Sequence, residues 1–323
     1  MLAKSTELEG ITSKVRKKGE LYTYLKTNYD MYLLLIPGLL FILIFNYLPL
    51  YGITLAFKDY NLFAGSNPFI ALLKSPWVGL DHFTNIFGRA DFNQALRNTL
   101  IISFYKLVFL FPLPIILSIM LNELRMVIYK RVLQTVLYLP HFLSWAIVSG
   151  IFVTLLSSTG IVNQLLDALT GHTVSFLMDT KVFRSVLVIT DGWKDVGWSS
   201  IIYLAAITGI DQEQYEAATV DGASKLQKII NITIPGIAPT IILLFILKVG
   251  HILDAGFEQI FIMYNPTVYE VSDIIGTYVY RMGLGQMDFS LGTAVGLFNS
   301  IVAFILIVSA NAMAKKFMKK SIW

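Results

Sequence analysis

Residues 31–57 read MYLLLIPGLLFILIFNYLPLYGITLAF, twenty-seven positions without a charge. A bilayer core is crossed by about 20 mostly apolar residues in a helix. In lipid the backbone must satisfy its own hydrogen bonds, so such a stretch is expected to be a spanning helix. Five further stretches fit that length: 100–120, 132–156, 185–210, 238–260 and 289–314. The fourth is the weakest, because it contains Asp191, Lys194 and Asp195. The expected fold class is therefore all-α, a polytopic membrane protein with six spanning helices. Composition agrees: 55% of the chain is hydrophobic and 14% charged, against about 25% charged in soluble domains.

Six spans place both termini on one face, and basic residues choose which. The segment before the first span carries Lys4, Lys14, Arg16, Lys17, Lys18 and Lys26. Arg125, Lys130, Arg131, Lys225, Lys228, Lys315, Lys316, Lys319 and Lys320 fall on the same side, fifteen in all. Seven lie opposite: Lys58, Lys74, Arg89, Arg97, Lys181, Arg184 and Arg281. The positive-inside rule puts the fifteen in the cytoplasm. This placement explains the net charge of +4 without a nucleic-acid partner. Cysteine is absent, which excludes disulfides and cysteine metal sites. The polar first thirty residues do not resemble a cleavable leader. The expected organisation is a cytoplasmic segment 1–30, a transmembrane domain 31–314 and a cytoplasmic tail 315–323.

The first external loop, 58–97, is long and turn-rich, with Trp77, Phe83 and Phe87. Short interfacial helices and ordinary aromatic packing both fit it. On the cytoplasmic side, EQYEAATVDGASKLQKIINITIPG runs from Glu213 to Gly236 between two apolar stretches. Asp211 followed by Gln214 predicts a capping box and a helix over about 212–220. Tyr215, Ala218 and Thr219 share one face of it. Asp221–Gly222 breaks this helix. A second piece starts near Ala223, and Pro235–Gly236 is expected to end or kink it.

The spacing Glu216-Ala217-Ala218, three residues, Gly222, nine residues, Ile232, one residue, Ile234, Pro235 resembles the loop signature of ABC importer permeases. The family usually has leucine where this chain has Ile234. The six-span layout with its extended first external loop resembles the sugar-permease class of that family. The resemblance implies a coupling loop at about 211–236 that docks on a cytoplasmic ATPase dimer. Glu216, Ala217, Ala218, Gly222, Ile232 and Pro235 are the matching positions, with Glu216 touching the ATPase and Gly222 permitting the turn. The chain has no G-x-x-x-x-G-K-[ST] loop, so ATP and Mg are expected in the partner and no cofactor here. The resemblance also implies a second, related permease, giving a heterodimer, and an extracytoplasmic solute-binding protein. The expected location is the bacterial cytoplasmic (inner) membrane.

Charged and polar residues inside spans face a cavity or a partner helix. Asp191 and Lys194, at i and i+3, are expected to pair. Trp193 and Trp198 can stack on a sugar, mark an interface belt or fill the core. No set of three ligands among Lys248, His251, Asp254 and Glu258 converges on a metal; a proton relay would need an accessible path, and a polar wall fits better, because a glycan needs hydrogen-bond partners. Asn299 is either a path residue or helix–helix glue, and Lys106 has the same choice or snorkels toward a surface. Residues 29–61 resemble the opening of the polysaccharide-permease branch, whose members handle oligosaccharides, including acidic ones such as alginate fragments. A secondary solute transporter would be expected to show inverted repeats, and none is seen. A non-transporting scaffold would need neither the coupling segment nor charged spans.

Overall fold

A computed structural model describes residue 24 and residues 26–318. Most of segment 1–30, including five of its six basic residues, and Lys319 and Lys320 of the tail lie outside the described residues. The chain divides into two compact units, Met1–Thr54 and Leu55–Trp323. In the first, helix α1 (Tyr29–Ile42) continues through a π-helical turn, Leu43–Tyr47, into a 3-10 run, Leu48–Phe57, whose last residues, from Leu55, belong to the second. The resulting 29-residue stretch carries a single charge, Asp30, in its first turn. At about 1.5 Å per residue it exceeds the thickness of a bilayer core.

The second unit contains the remaining elements. Helices α2 (Pro68–Lys74) and α3 (Asp81–Gly88) lie in the long segment after the first span. Asn67 caps α2 by accepting from the Ile70 amide, and Pro68 occupies its first turn, the usual grammar of a helix start. Their aromatics pack as a small core: Trp77 stacks on Phe57, and Phe87 meets Phe92 and Phe298 edge-on. Short helices and packed aromatics thus occur together in this segment.

The second span is α4 (Ala90–Leu110) followed directly by α5 (Pro112–Glu123). The third differs from its expected range of 132–156. It is assembled from α6 (Val127–Tyr138), a 3-10 turn at Leu139–Phe142 and α7 (Trp145–Leu156), with α8 (Ile161–Thr170) beyond. Pro140 starts the break, because it lacks an amide donor, and Ser144 recaps α7 through the Ile147 amide. The fourth span is a single 26-residue helix, α9 (Phe183–Thr208).

Then come α10 (Gln212–Val220) and α11 (Lys225–Lys228). The chain passes from α11 through a π-helical segment, Ile229–Thr233, into α12 (Ile234–Gly250) without interruption. Pro235 therefore neither ends nor separates the pieces. It follows closely on the π-helical segment, where the regular α-helical bonding is already given up.

The fifth span was expected to reach 260, but α12 stops at Gly250. A turn at 251–256 leads to α13 (Phe257–Met263). Ala255 and Gly256 both take left-handed φ, +52° and +85°, which a continuing helix cannot accommodate. Short helices α14 (Tyr269–Ser272) and α15 (Ile275–Val279) follow, and the last span is α16 (Phe289–Met318).

Five helical runs among the described residues are long and apolar enough to cross a membrane: Tyr29–Phe57, Ala90–Glu123, Trp145–Thr170, Lys225–Gly250 and Phe289–Lys316. Helix α9 has the length of a sixth but carries charges, and these hold its neighbours. It packs on α4, α5, α6 and α12. Gly197 makes the closest approach. A Cβ there would sit 2.0 Å from the Leu137 carbonyl oxygen, so only glycine lets α9 lie against α6.

Candidate functional site

Two places concentrate chemistry, an exposed elbow between α9 and α12 and a polar cluster within the spans. In the elbow Asp211 caps α10, its carboxylate accepting from the Glu213 amide at 3.0 Å. The expected return bond from Gln214 is not formed; the reciprocal capping box sits at α11 instead. There the Ser224 amide donates to Gln227 Oε1 at 2.7 Å and the Gln227 amide to Ser224 Oγ at 3.4 Å.

Helix α10 closes on a left-handed glycine, Gly222 at φ +77°. The Ala223 amide reaches back to the Ala218 carbonyl at 2.8 Å and the Gly222 amide to Thr219 at 3.1 Å. These two bonds form a Schellman end. Glu216, Ala217 and Gly222 are exposed and Ala218 half-buried. Glu216 makes no side-chain hydrogen bond or ion pair among the described residues. It lines a polar cleft of about 320 Å³ with Gln212, Tyr215, Lys225 and Lys228. Val220 and Leu226 flank the turn, 88% and 64% exposed. The elbow thus exposes an unpaired acid beside two apolar side chains.

Within the spans, α9 presents three charged residues, Asp191 to α4 and Lys194 and Asp195 to the break in the third span. Lys194 is buried, and its Nζ donates to the His141 and Leu143 carbonyls at 2.6 and 2.8 Å. It caps the break in the third span, with the Trp145 ring 5.6 Å away. Asp195 accepts from or donates toward His141 Nδ1 at 2.8 Å, according to protonation, and the Trp198 ring stacks on that imidazole at 4.5 Å. Asp191 faces Lys106 of α4 at 3.3 Å. Lys106 also donates to Gln259 Oε1 at 2.6 Å. The Gln259 amide nitrogen donates in turn to Leu187 O and Thr190 Oγ1 at 2.8 and 2.6 Å. Gly256 makes room for this cation, since a Cβ there would lie 2.5 Å from Lys106 Nζ. The break in the fifth span is thereby tied to the second and fourth.

Two adjoining cavities open beside the cluster, of about 200 and 420 Å³. They share Asp191, Asp195, Lys248 and His251. Asp254 and Trp145 line the smaller, Trp198 and Tyr203 the larger. Polar and aromatic side chains together in one lining suit a hydroxylated ligand.

Residues 110–321 match the family model for the binding-protein-dependent transport system inner membrane component. The chain belongs to this family of importer permeases. Protein LplB of Bacillus subtilis is 48% identical over 300 residues, covering 93% of this permease and 92% of LplB. The polygalacturonan/rhamnogalacturonan transport system permease protein YteP of the same organism is 41% identical over 322 residues, covering 99% and 98%. A crystal structure of a bacterial ABC transporter involved in the import of the acidic polysaccharide alginate contains a chain 41% identical to this one. It superposes with a TM-score of 0.85, covering 92% of this permease and 99% of that chain. A related structure holds the alginate transporter in complex with an alginate pentasaccharide-bound periplasmic protein, at 40% identity and a TM-score of 0.85.

The permease thus brings together Asp191, Lys248, His251, Asp254 and Trp198 of the residues expected along a path. It does not bring in the others. Asp191 and Lys194 do not pair with each other, because Asp191 points to Lys106 of the second span and Lys194 to the break in the third. Lys194 lines neither cavity. Trp193 lies in a separate apolar groove with Tyr105, Phe109 and Ile189, edge-on to Phe152. Asn299 lines neither cavity, and its amide oxygen is buried without a hydrogen-bond partner. Ile232 is half-buried and Pro235 exposed at the base of α12.

Several residues escaped sequence reasoning: Gln259, Thr190, His141 and Trp145. Lone polar residues such as Lys106 and Gln259, in apolar surroundings, were the available signal. Only the fold shows that they meet, 153 positions apart.

Proposed function

We propose that this permease is the membrane subunit of an ATP-driven importer of acidic, uronate-containing oligosaccharides. It pairs with a second, related permease, receives cargo from a solute-binding protein and docks through its elbow on a cytoplasmic ATPase dimer, which binds ATP and Mg. Both termini are cytoplasmic, and the assembly sits in the bacterial cytoplasmic (inner) membrane. The observation that carries the reading is the elbow, an exposed helix ending on left-handed Gly222 with Glu216 unpaired beside it. The named cargoes of YteP and of the alginate transporter support the choice of acidic glycan.

Glu216→Ala tests the docking. In proteoliposomes holding the whole complex, substrate-dependent ATP hydrolysis and uptake should both fall by about tenfold or more, as loss of a charge-assisted contact predicts. Normal uptake with normal stimulated hydrolysis would refute it.

Cargo charge is tested at Lys248. Of Lys106, Lys194 and Lys248, the first two have fixed partners. Lys248 is exposed to both cavities and has no side-chain hydrogen bond or ion pair among the described residues. Lys248→Gln should cut uptake of a galacturonate trisaccharide about tenfold, the worth of one charge-assisted hydrogen bond. Uptake of its carboxyl-reduced analogue should stay within about twofold. Equal losses for both sugars would show that Lys248 does not read the carboxylate.

A further inference from the structure

The elbow is joined to the span beneath it through side chains as well as through the chain itself. The Tyr215 and Thr233 hydroxyls lie 2.9 Å apart, bridging α10 to the residue before α12. Lys228 Nζ donates to Thr219 Oγ1 at 2.7 Å, and that hydroxyl donates to the Tyr215 carbonyl at 2.6 Å. Lys225 reaches Glu123 at the end of α5, 3.6 Å away.

These ties differ in stiffness. The Lys225–Glu123 pair is largely exposed, and such pairs contribute little. Lys228 reaches Thr219 at the surface. Thr233 is only 4% exposed, so the Tyr215–Thr233 bond alone has a buried end. Its position is particular. Thr233 closes the π-helical segment Ile229–Thr233, and its hydroxyl also faces the Lys228 carbonyl at 3.5 Å. A single π turn inside an α-helix is a place where helical regularity is given up, often for function.

We infer that Tyr215 is a positioning residue for transport, passing displacement of the elbow to the fifth span through its bond to Thr233. The π-helical segment is the compliant joint that this bond bypasses. With the bond intact, α10 and the base of α12 move as one body. Without it, part of the elbow's travel is absorbed in the 229–233 turn. This inference rests on the elbow being the ATPase dock.

Tyr215→Phe tests it, because it removes one hydroxyl and leaves the ring. The full complex is reconstituted, and recovery of its subunits, ATP hydrolysis and uptake are measured. Recovery should match the wild type, while ATP hydrolysed per sugar imported rises about threefold, in keeping with loss of one neutral hydrogen bond. Thr233→Val should do the same. The double variant should be no worse than Thr233→Val alone, since that substitution already removes the bond to Tyr215. An unchanged ratio, additive losses, or a drop in subunit recovery would overturn the inference. A wild-type complex without an ATPase would instead refute the docking reading on which it stands.

Discussion

Asp191→Leu is expected to deplete the permease from the membrane fraction and to lower the melting temperature of what remains. Lys106 and Asp191 face each other at 3.3 Å with side chains 7% and 13% exposed. Removing Asp191 leaves the cation with Gln259 as its remaining hydrogen-bond partner among the described residues, and breaking a buried pair in this way costs about 3–5 kcal/mol. That is a large share of a typical folding free energy. The cost should concentrate where the pair acts, at the left-handed turn that lets Gly256 pass beside Lys106. Replacing both partners, Lys106→Met with Asp191→Leu, should restore most of the stability, because no charge is then left unpaired. Gln259 would keep its bonds to Leu187 and Thr190. Thermal unfolding of the purified complex in detergent measures all three proteins. An Asp191→Leu variant as stable as the wild type would show that the pair does not tie the spans.

Gly222→Val is expected to act differently, leaving the spans intact and disabling assembly. Nothing lies within 4 Å of a Cβ at this position, so the substitution meets no steric neighbour. The penalty is entirely in the backbone, at φ +77°. A β-branched residue held there costs of order 1–3 kcal/mol. The elbow escapes that cost by abandoning the Schellman end and re-aiming α10. The variant should insert at wild-type levels, while recovery of the ATPase by affinity purification falls about tenfold. Gly222→Asn, which tolerates the left-handed region, should recover most of the loss. Equal recovery for valine and glycine would mean that the turn does not set the docking geometry.

Much of this was legible in the sequence, for reasons that differ by residue. The spans follow from hydrocarbon thickness, a constraint that acts on composition alone. The elbow follows from local chemistry: Asp211 caps, Asp221–Gly222 turns, and helix Gln212–Val220 lies where the pattern puts it. The capping box was misplaced because Ser224-x-x-Gln227 competes with Asp211-x-x-Gln214, and only the former closes both bonds. The breaks in the third and fifth spans were not legible. Both are held open by partners distant in sequence: Lys194 caps the carbonyls at 141 and 143, and Lys106 fills the space beside Gly256. The same distance misled the pairing of Asp191 with Lys194. Spacing along one helix shows what can meet, while the neighbouring helices decide what does.

The absence of cysteine allows the most direct test of the central claim, that the elbow receives the ATPase. Glu216→Cys provides a single thiol in this chain at the proposed contact. In intact cells it should resist a membrane-impermeant maleimide, and in the assembled transporter it should cross-link to a nucleotide-hydrolysing subunit. Labelling from outside the cell, or a complex in which no such subunit is captured, would contradict the account.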